Sequence, residues 1–163
     1  MDIAANETLD RKVLEQQQLQ QLQALLAITL ADNPFYRTKL TAAGIEDASD
    51  VTRVQDLSRL PYTSKQELSE DQRQSPPYGN NFSLPRHAYS RLHQPSGTPG
   101  PRLRWLDTPQ SWEWWGRCWQ AVYRAAGVNA DDRVFFAFSF GPLIGFWSAY
   151  EGASQLGLSL IHI

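Results

Sequence analysis

Residues 133–163 read RVFFAFSFGPLIGFWSAYEGASQLGLSLIHI, and the fold class turns on this stretch. The apolar run at 133–138, with Val134, Phe135, Phe136 and Phe138, does not alternate with polar residues. Its length and continuity predict a strand buried on both faces of a parallel sheet. Ser139, Phe140, Gly141 and Pro142 turn the chain, and residues 143–156 follow with the spacing of a helix. Gly157 stands where a helix ends in left-handed backbone, and a further strand begins after it. Strand, helix and strand in succession predict an α/β layer.

The residues before this unit fit the same layer. Residues 88–93 and 103–106 read as strands, joined by a Pro- and Gly-rich loop at 95–101. Thr108 and Pro109 start a helix whose apolar stripe is Trp112, Trp115, Trp119, Val122 and Ala126, and Gly127 ends it. Six tryptophans occur in the chain, and five of them lie at 105–119. Their helical period reads as core or interface packing, with Cys118 as a small buried residue among them.

The first half is helical in pattern. At 9–31, Leu19, Leu22, Leu26 and Leu30 recur at three- and four-residue steps on one face. Six of the eight residues at 16–23 are glutamine, which reads as the solvated face of that helix. Asn33 and Pro34 form a cap and first-turn pair for a short helix to about Ala43, anchored by Phe35, Tyr36 and Leu40 and stopped at Gly44. Ser64 and Glu67 fit a capping box that starts another helix at Lys65. Residues 72–85 then hold Pro76, Pro77, Gly79, Asn80 and Asn81, which disfavour regular structure. The expected organisation is a helical region at 1–71, a linker at 72–87, an α/β region at 88–157 and a tail at 158–163.

Composition excludes several classes. The chain has 163 residues, 42% apolar and 20% charged, with a net charge of -2 and a pI near 5.9. That balance is globular and provides no field for a polyanion, so nucleic acid is not an expected partner. No apolar run approaches the roughly 20 residues of a membrane span. The lone Cys118 forms no internal disulfide or metal motif, and the first thirty residues lack the pattern of a signal peptide, so the expected location is the cytoplasm.

The loop at 95–101 is where chemistry is concentrated. Gly97 and Gly100 let the backbone approach a ligand, while Ser96, Thr98 and the turn's N–H groups are donors suited to phosphate oxygens. A Walker loop needs a lysine and an immediate helix, and neither is present. The plain alternative is an ordinary Gly/Pro hairpin loop. His87, His93 and His162 share no spacing, and none sits with a carboxylate that would orient it as a base, so a catalytic triad is not expected. A non-catalytic interaction module, built from the first helix and the tryptophan face, is the competing functional reading.

The run from Arg91 through His93, Pro95, Ser96, Gly97, Thr98, Pro99 and Gly100 resembles the phosphate loop of the adenylate-forming superfamily, usually Thr or Ser, Ser, Gly, Thr, Thr, Gly. Asn33-Pro34-Phe35-Tyr36, Ala43-Gly44-Ile45, Leu60-Pro61-Tyr62-Thr63-Ser64-Lys65 and residues 141–157 resemble the phenylacetate coenzyme A ligase branch in the same order. The resemblance implies a helical start followed by the first part of the large adenylating domain, with an incomplete mixed or parallel sheet. It implies an enzyme that adenylates an aryl or related carboxylic acid with ATP and forms its coenzyme A thioester, using ATP, Mg2+ and coenzyme A. Ser96, Gly97, Thr98 and Gly100 would bind the ATP phosphates, and Phe140 and Gly141 the acid. Pro95 and Pro99 depart from the pattern, each lacking a hydroxyl and an N–H.

The resemblance also places the catalytic groups beyond residue 157, assigns no protein metal site here, and brings a homodimer of the full-length enzyme among the expected partners. The chain therefore reads as an N-terminal fragment that does not turn over alone. Leu158-Ser159-Leu160-Ile161-His162-Ile163 is moreover what CTGTCTCTTATACACATC encodes, the end of a common sequencing transposon, so 158–163 are expected to be a non-native tail.

Overall fold

Asp10 accepts the backbone N–H of Lys12 and starts helix α1, Arg11–Asp32, in a computed structural model that describes residues 8–95, 102–139 and 141–162. The chain divides into two units, Thr8–Arg86 and His87–Ile163. In the first, α1 is followed by α2, Pro34–Ala42, with Asn33 accepting from the Tyr36 N–H and Pro34 in the first turn. Two 3-10 segments, Ala48–Asp50 and Val54–Arg59, precede α3, Lys65–Gln74.

The predicted leucine stripe is the seam of this unit. Leu26, Leu40, Ile45 and Val51 form its buried core, with Leu19, Leu22, Leu30, Tyr36 and Leu60 packed around them. Gly44 ends α2 at a φ of +76°, a region an L side chain enters only at a cost. Its N–H reaches the Thr41 carbonyl, and the Ile45 N–H reaches Leu40, so Ile45 turns straight back into the core. Asp56, almost buried, accepts the N–H of Thr52 and of Arg53, and these bonds with the Arg53 guanidinium hold its pKa down to about 2.

The capping box at α3 is formed: Ser64 accepts from the Glu67 N–H at 3.2 Å, and Glu67 accepts from the Ser64 N–H at 2.7 Å. Lys39 Nζ on α2 reaches the same Glu67 carboxylate at 2.5 Å and the Tyr62 carbonyl at 2.6 Å. One ammonium thus joins α2, the segment before α3 and the cap of α3.

The second unit begins with an antiparallel pair, β1, Arg91–His93, and β2, Trp105–Asp107, in which Arg91 faces Asp107 and His93 faces Trp105. Helix α4, Pro109–Ala125, is capped by Thr108. Then β3, Arg133–Phe136, α5, Ile144–Gln155, and β4, Ser159–His162, form a β-α-β unit with β3 and β4 parallel. Phe136, Ala149, Ala153 and Leu158 are its buried core.

Two details differ from the sequence pattern. The seam of α4 is Trp112, Gly116, Trp119 and Tyr123, while Trp115 and Val122 face outward at 41% and 53% exposure. The close approach of α5, at Gly152 against Gly116 and Trp119, sets the contact along Trp112, Gly116 and Trp119 and leaves Trp115 and Val122 outside it. At β3, Phe136 is core but Phe135 is 55% exposed, as is its register partner Ile161 at 43%. Among the described residues only one face of this two-stranded sheet is covered by helices, so the apolar run there is not buried on both sides.

Where α4 and α5 cross, a methyl placed on Gly152 would overlap Trp119 Cβ and lie 3.0 Å from the Gly116 carbonyl oxygen. Three aromatic side chains of α4 bond across the crossing: Trp112 Nε1 to Glu151 at 2.8 Å, Trp119 Nε1 to Ser148 Oγ at 2.9 Å and Tyr123 OH to the Ala149 carbonyl at 3.0 Å.

Gly152→Ala is expected to destabilise the second unit by about 1–3 kcal/mol, since the blocking atoms belong to a packed helix. Gly145→Ala meets open space in the first turn of α5 and is expected to be neutral or to stabilise by up to about 1 kcal/mol. Thermal melts of the two variants check the contrast. In the first unit, the bonds from Lys39 and Ser64 lower the Glu67 pKa from 4.5 to about 2. A depressed carboxylate pKa contributes stability that is present above the unfolded value and lost as pH falls toward the folded one. Acidification from about pH 5 to about pH 2.5 is expected to lower the melting temperature less in Glu67→Gln than in the parent chain.

Candidate functional site

The β1–β2 pairing gathers a polar cluster on one face. Arg91, His93 and Asp107 lie on that face by register, and α4 supplies Ser111 and Trp112 beneath it. His93 is 4% and Asp107 6% exposed, with His93 Nε2 standing 4.0 Å from Asp107 Oδ2. The His93 ring stacks on Trp112 with centroids 4.8 Å apart, and the Arg91 guanidinium lies 4.6 Å from the Trp112 ring centroid. Asp107 Oδ1 accepts from Ser111 Oγ at 3.0 Å, while Asp107 Oδ2 and both imidazole nitrogens of His93 have no hydrogen-bond partner. Glu151 of α5 accepts from Trp112 Nε1 and lies 3.8 Å from Arg91. Burial lowers the His93 pKa; Asp107 pulls it up and Arg91 pushes it down by smaller amounts.

Beside this cluster, the chain leaves the β1–β2 ladder. The N–H of Gln94, the first residue past β1, donates to the Pro142 carbonyl at 2.8 Å. Pro142 belongs to the turn between β3 and α5, and Trp147 Nε1 donates to the neighbouring Gly141 carbonyl at 2.8 Å. Behind the turn stand packed aromatics: Phe138 stacks on Phe146 at 4.0 Å, while Phe136 meets Phe138 at 5.5 Å and Trp147 meets Tyr150 at 6.3 Å edge to face. The foot of the 95–101 loop and the turn carrying Gly141 are therefore hydrogen-bonded neighbours at the carboxyl end of β3, where ligands of α/β sheets collect.

Of the residues assigned from sequence, Gly141 lies in this turn; Ser96, Gly97, Thr98, Gly100 and Phe140 lie outside the described residues. Their flanking residues, Gln94 and Gly141–Pro142, are brought side by side by a bond that no sequence pattern announces, since it runs from one backbone to another. Asp107 beside His93 was equally hidden. The expectation that no histidine sits with a carboxylate fails at His93, because the β1–β2 pairing brings Asp107, 14 positions away in sequence, to 4.0 Å from its ring. Among the described residues no group of three or more His, Cys, Asp or Glu side chains converges as a metal site. Burial raises the Cys118 thiol pKa, which suits a small packing residue.

No family model matches the chain. In sequence it is 32% identical to the phenylacetate-coenzyme A ligase of Pseudomonas putida and 31% identical to that of Escherichia coli K12, each over 155 residues and 95% of this chain. The chain spans about 34% of the length of these relatives. In structure it matches 2-hydroxyisobutyryl-CoA ligase in complex with 2-HIB-AMP and CoA, with a TM-score of 0.87 and 26% identity over 96% of this chain and 33% of that one. The same enzyme in its postadenylation state matches at 0.86. The fold thus matches part of the fold of an adenylate-forming ligase. In sequence the similarity is to the phenylacetate-coenzyme A ligases.

The lowered His93 pKa gives a pH dependence whose sign is fixed. The unfolded chain binds a proton near the ordinary 6.5, the folded chain only at lower pH, so stability is full above 6.5 and falls as pH drops below it. His93→Gln is expected to flatten the melting-temperature profile of the second unit between about pH 7.5 and about pH 5.5, as read by calorimetry.

Proposed function

We propose that this chain contributes the phosphate loop and one wall of the acid site to an ATP-dependent acid–coenzyme A ligase acting on an aryl or related carboxylic acid. The observation that carries the reading is the Gln94 to Pro142 hydrogen bond, which sets the foot of the loop against the turn containing Gly141. Ser96, Thr98 and the N–H groups of Gly97 and Gly100 donate to the β- and γ-phosphate oxygens. Phe140 and Gly141 line the acid. In the first half-reaction an acid carboxylate oxygen attacks the α-phosphorus, the bond to the bridging oxygen breaks, and pyrophosphate leaves with the charge. Fixed donors around that charge lower the barrier because they need no reorganisation during the reaction. In the second, the coenzyme A thiol adds to the acyl carbon and AMP leaves.

The groups that complete both steps belong to segments beyond residue 157, and the fragment alone does not turn over. Mg2+ would arrive on the ATP phosphates, which suits its preference for phosphate oxygens and water over an all-protein cage. A cytoplasmic location and a homodimer of the full-length enzyme belong to the same proposal. So does the division into a helical region at 1–71, a linker at 72–87, the first part of the adenylating domain at 88–157 and a non-native tail at 158–163.

Pro95 and Pro99 stand where hydroxyl residues are usual, and each removes a donor from the loop. Hydrogen bonds to charged groups are worth about 1.5–3 kcal/mol, and about 1.4 kcal/mol is tenfold. In the enzyme carrying this chain as its N-terminal part, Thr98→Ala is expected to lower acid-dependent pyrophosphate release by about tenfold or more. Pro99→Thr is expected to raise it by about tenfold. Unchanged kinetics in Thr98→Ala would mean that the loop does not hold phosphate.

A further inference from the structure

A turn that lines a ligand has to be held from behind, because looseness in it is paid in affinity. The turn between β3 and α5 cannot rely on its own sequence for this. Pro142 has no N–H to donate. Leu143, at the N-cap of α5, gives the first turn of the helix no side-chain bond, where Ser, Thr, Asp or Asn would do so. The bonds come from elsewhere. Trp147, the fourth residue of α5, reaches back six positions and donates its indole N–H to the Gly141 carbonyl at 2.8 Å. The Gly141 N–H goes to the Ser139 carbonyl at 3.0 Å, and the Pro142 carbonyl accepts from Gln94 at 2.8 Å. The indole is itself braced: its ring meets Tyr150 edge to face at 6.3 Å, and Tyr150 lies 5.6 Å from Phe136, the buried phenylalanine of β3. Trp112 and Trp119 use their N–H groups to tie α4 to α5, whereas the Trp147 bond leaves that seam and ends on the turn.

Both polar groups of Gly141 are therefore engaged within the chain, while a Cβ built on it would meet no atom within 4 Å. What Gly141 offers to the open space around it is carbon. Resting on the reading of Gly141 as a wall of the acid site, we propose that Trp147 is a positioning residue that sets the specificity of that wall. By bonding the Gly141 carbonyl, the indole holds the turn in place and occupies its acceptor, so the site takes acids whose tail meets Gly141 with carbon and disfavours those that bring a hydroxyl there. A hydroxyl buried against such a wall gives up its water and finds no partner, which costs more than a missing contact between carbons. Trp147 does not touch the acid; it acts through Gly141. Without the indole N–H the turn loosens, which weakens every acid, and the freed carbonyl returns part of that loss to an acid that carries a hydroxyl beside it.

The test uses the enzyme carrying this chain as its N-terminal part, assayed by acid-dependent pyrophosphate release with an aryl acid and with each of its monohydroxylated analogues. Two changes remove the indole N–H. One is Trp147→Phe; the other places benzothienylalanine at position 147, which keeps the shape of the ring and carries sulfur in place of the N–H. In both, the KM for the unsubstituted acid is expected to rise by about threefold to tenfold, with kcat and the KM for ATP within about twofold of the parent. The preference for the unsubstituted acid over at least one hydroxylated analogue is expected to narrow by about threefold. An indole that were only structural would lower kcat or the melting temperature and shift all the acids alike. Should Trp147→Phe fail to fold, as judged by its melt, the benzothienylalanine enzyme decides the matter alone. Unchanged KM values, or equal shifts for every acid, overturn the inference and leave the reading of the acid site standing. No acid-dependent release by the parent enzyme with any of these acids overturns both.

Discussion

The second unit depends on the closeness of α4 and α5. Helices approach to this degree only where a side chain is missing at the contact, and here two glycines, Gly116 and Gly152, meet across the crossing. With that distance set, the indole N–H groups of Trp112 and Trp119 and the Tyr123 hydroxyl reach partners on α5, and Ala149 and Ala153 fit under Phe136. The helix pair in turn fixes what lies at its ends. Trp112 carries the His93 ring, and α5 begins at the turn whose Pro142 carbonyl receives Gln94. A residue with a bulkier side chain at Gly152 would separate the helices, and the candidate site would lose both supports at once.

The first unit is built differently. Its core is a small aliphatic cluster, and the ends of its elements are fixed by polar caps: Asn33 at α2, the Ser64 and Glu67 pair at α3, and Asp56 gathering N–H groups in the 3-10 segment. Exposed ion pairs such as Arg73 with Glu70 add little, because solvent screens them and two long side chains are immobilised. Lys39 is different in kind, since its ammonium is mostly covered and serves the Tyr62 carbonyl as well as Glu67.

Local chemistry made much of this readable from sequence. The caps at Asn33, Ser64 and Thr108, the ends at Gly44 and Gly157, and the leucine stripe of α1 each follow from neighbours a few residues apart, which is the range over which spacing carries information. The face of α4 followed only in part: Trp112 and Trp119 lie in the seam as their spacing implies, but Trp115 and Val122 do not, because apolar content carries no mark of the contact at Gly116 and Gly152. The burial of Phe135 was misjudged because the run at 133–138 reports apolar content and says nothing of how many layers cover it. At the candidate site the loop composition and the Gly141 turn were visible. The bond between Gln94 and Pro142, and the approach of Asp107 to His93, were not, since both arise from pairing over a distance that no local rule sees.

The division of the tryptophans has an optical consequence. Trp112 is buried with its indole bonded to a carboxylate, whereas Trp114 and Trp115 on the same helix stand 45% and 41% exposed. Emission from this chain is therefore a mixture of a sheltered, blue-lying population and a wet, red-lying one. An aqueous quencher such as iodide removes the second first and leaves the first. What remains after quenching reports on Trp112, Trp119 and Trp147 together, and so on the α4–α5 seam and its ends, without any label having been attached.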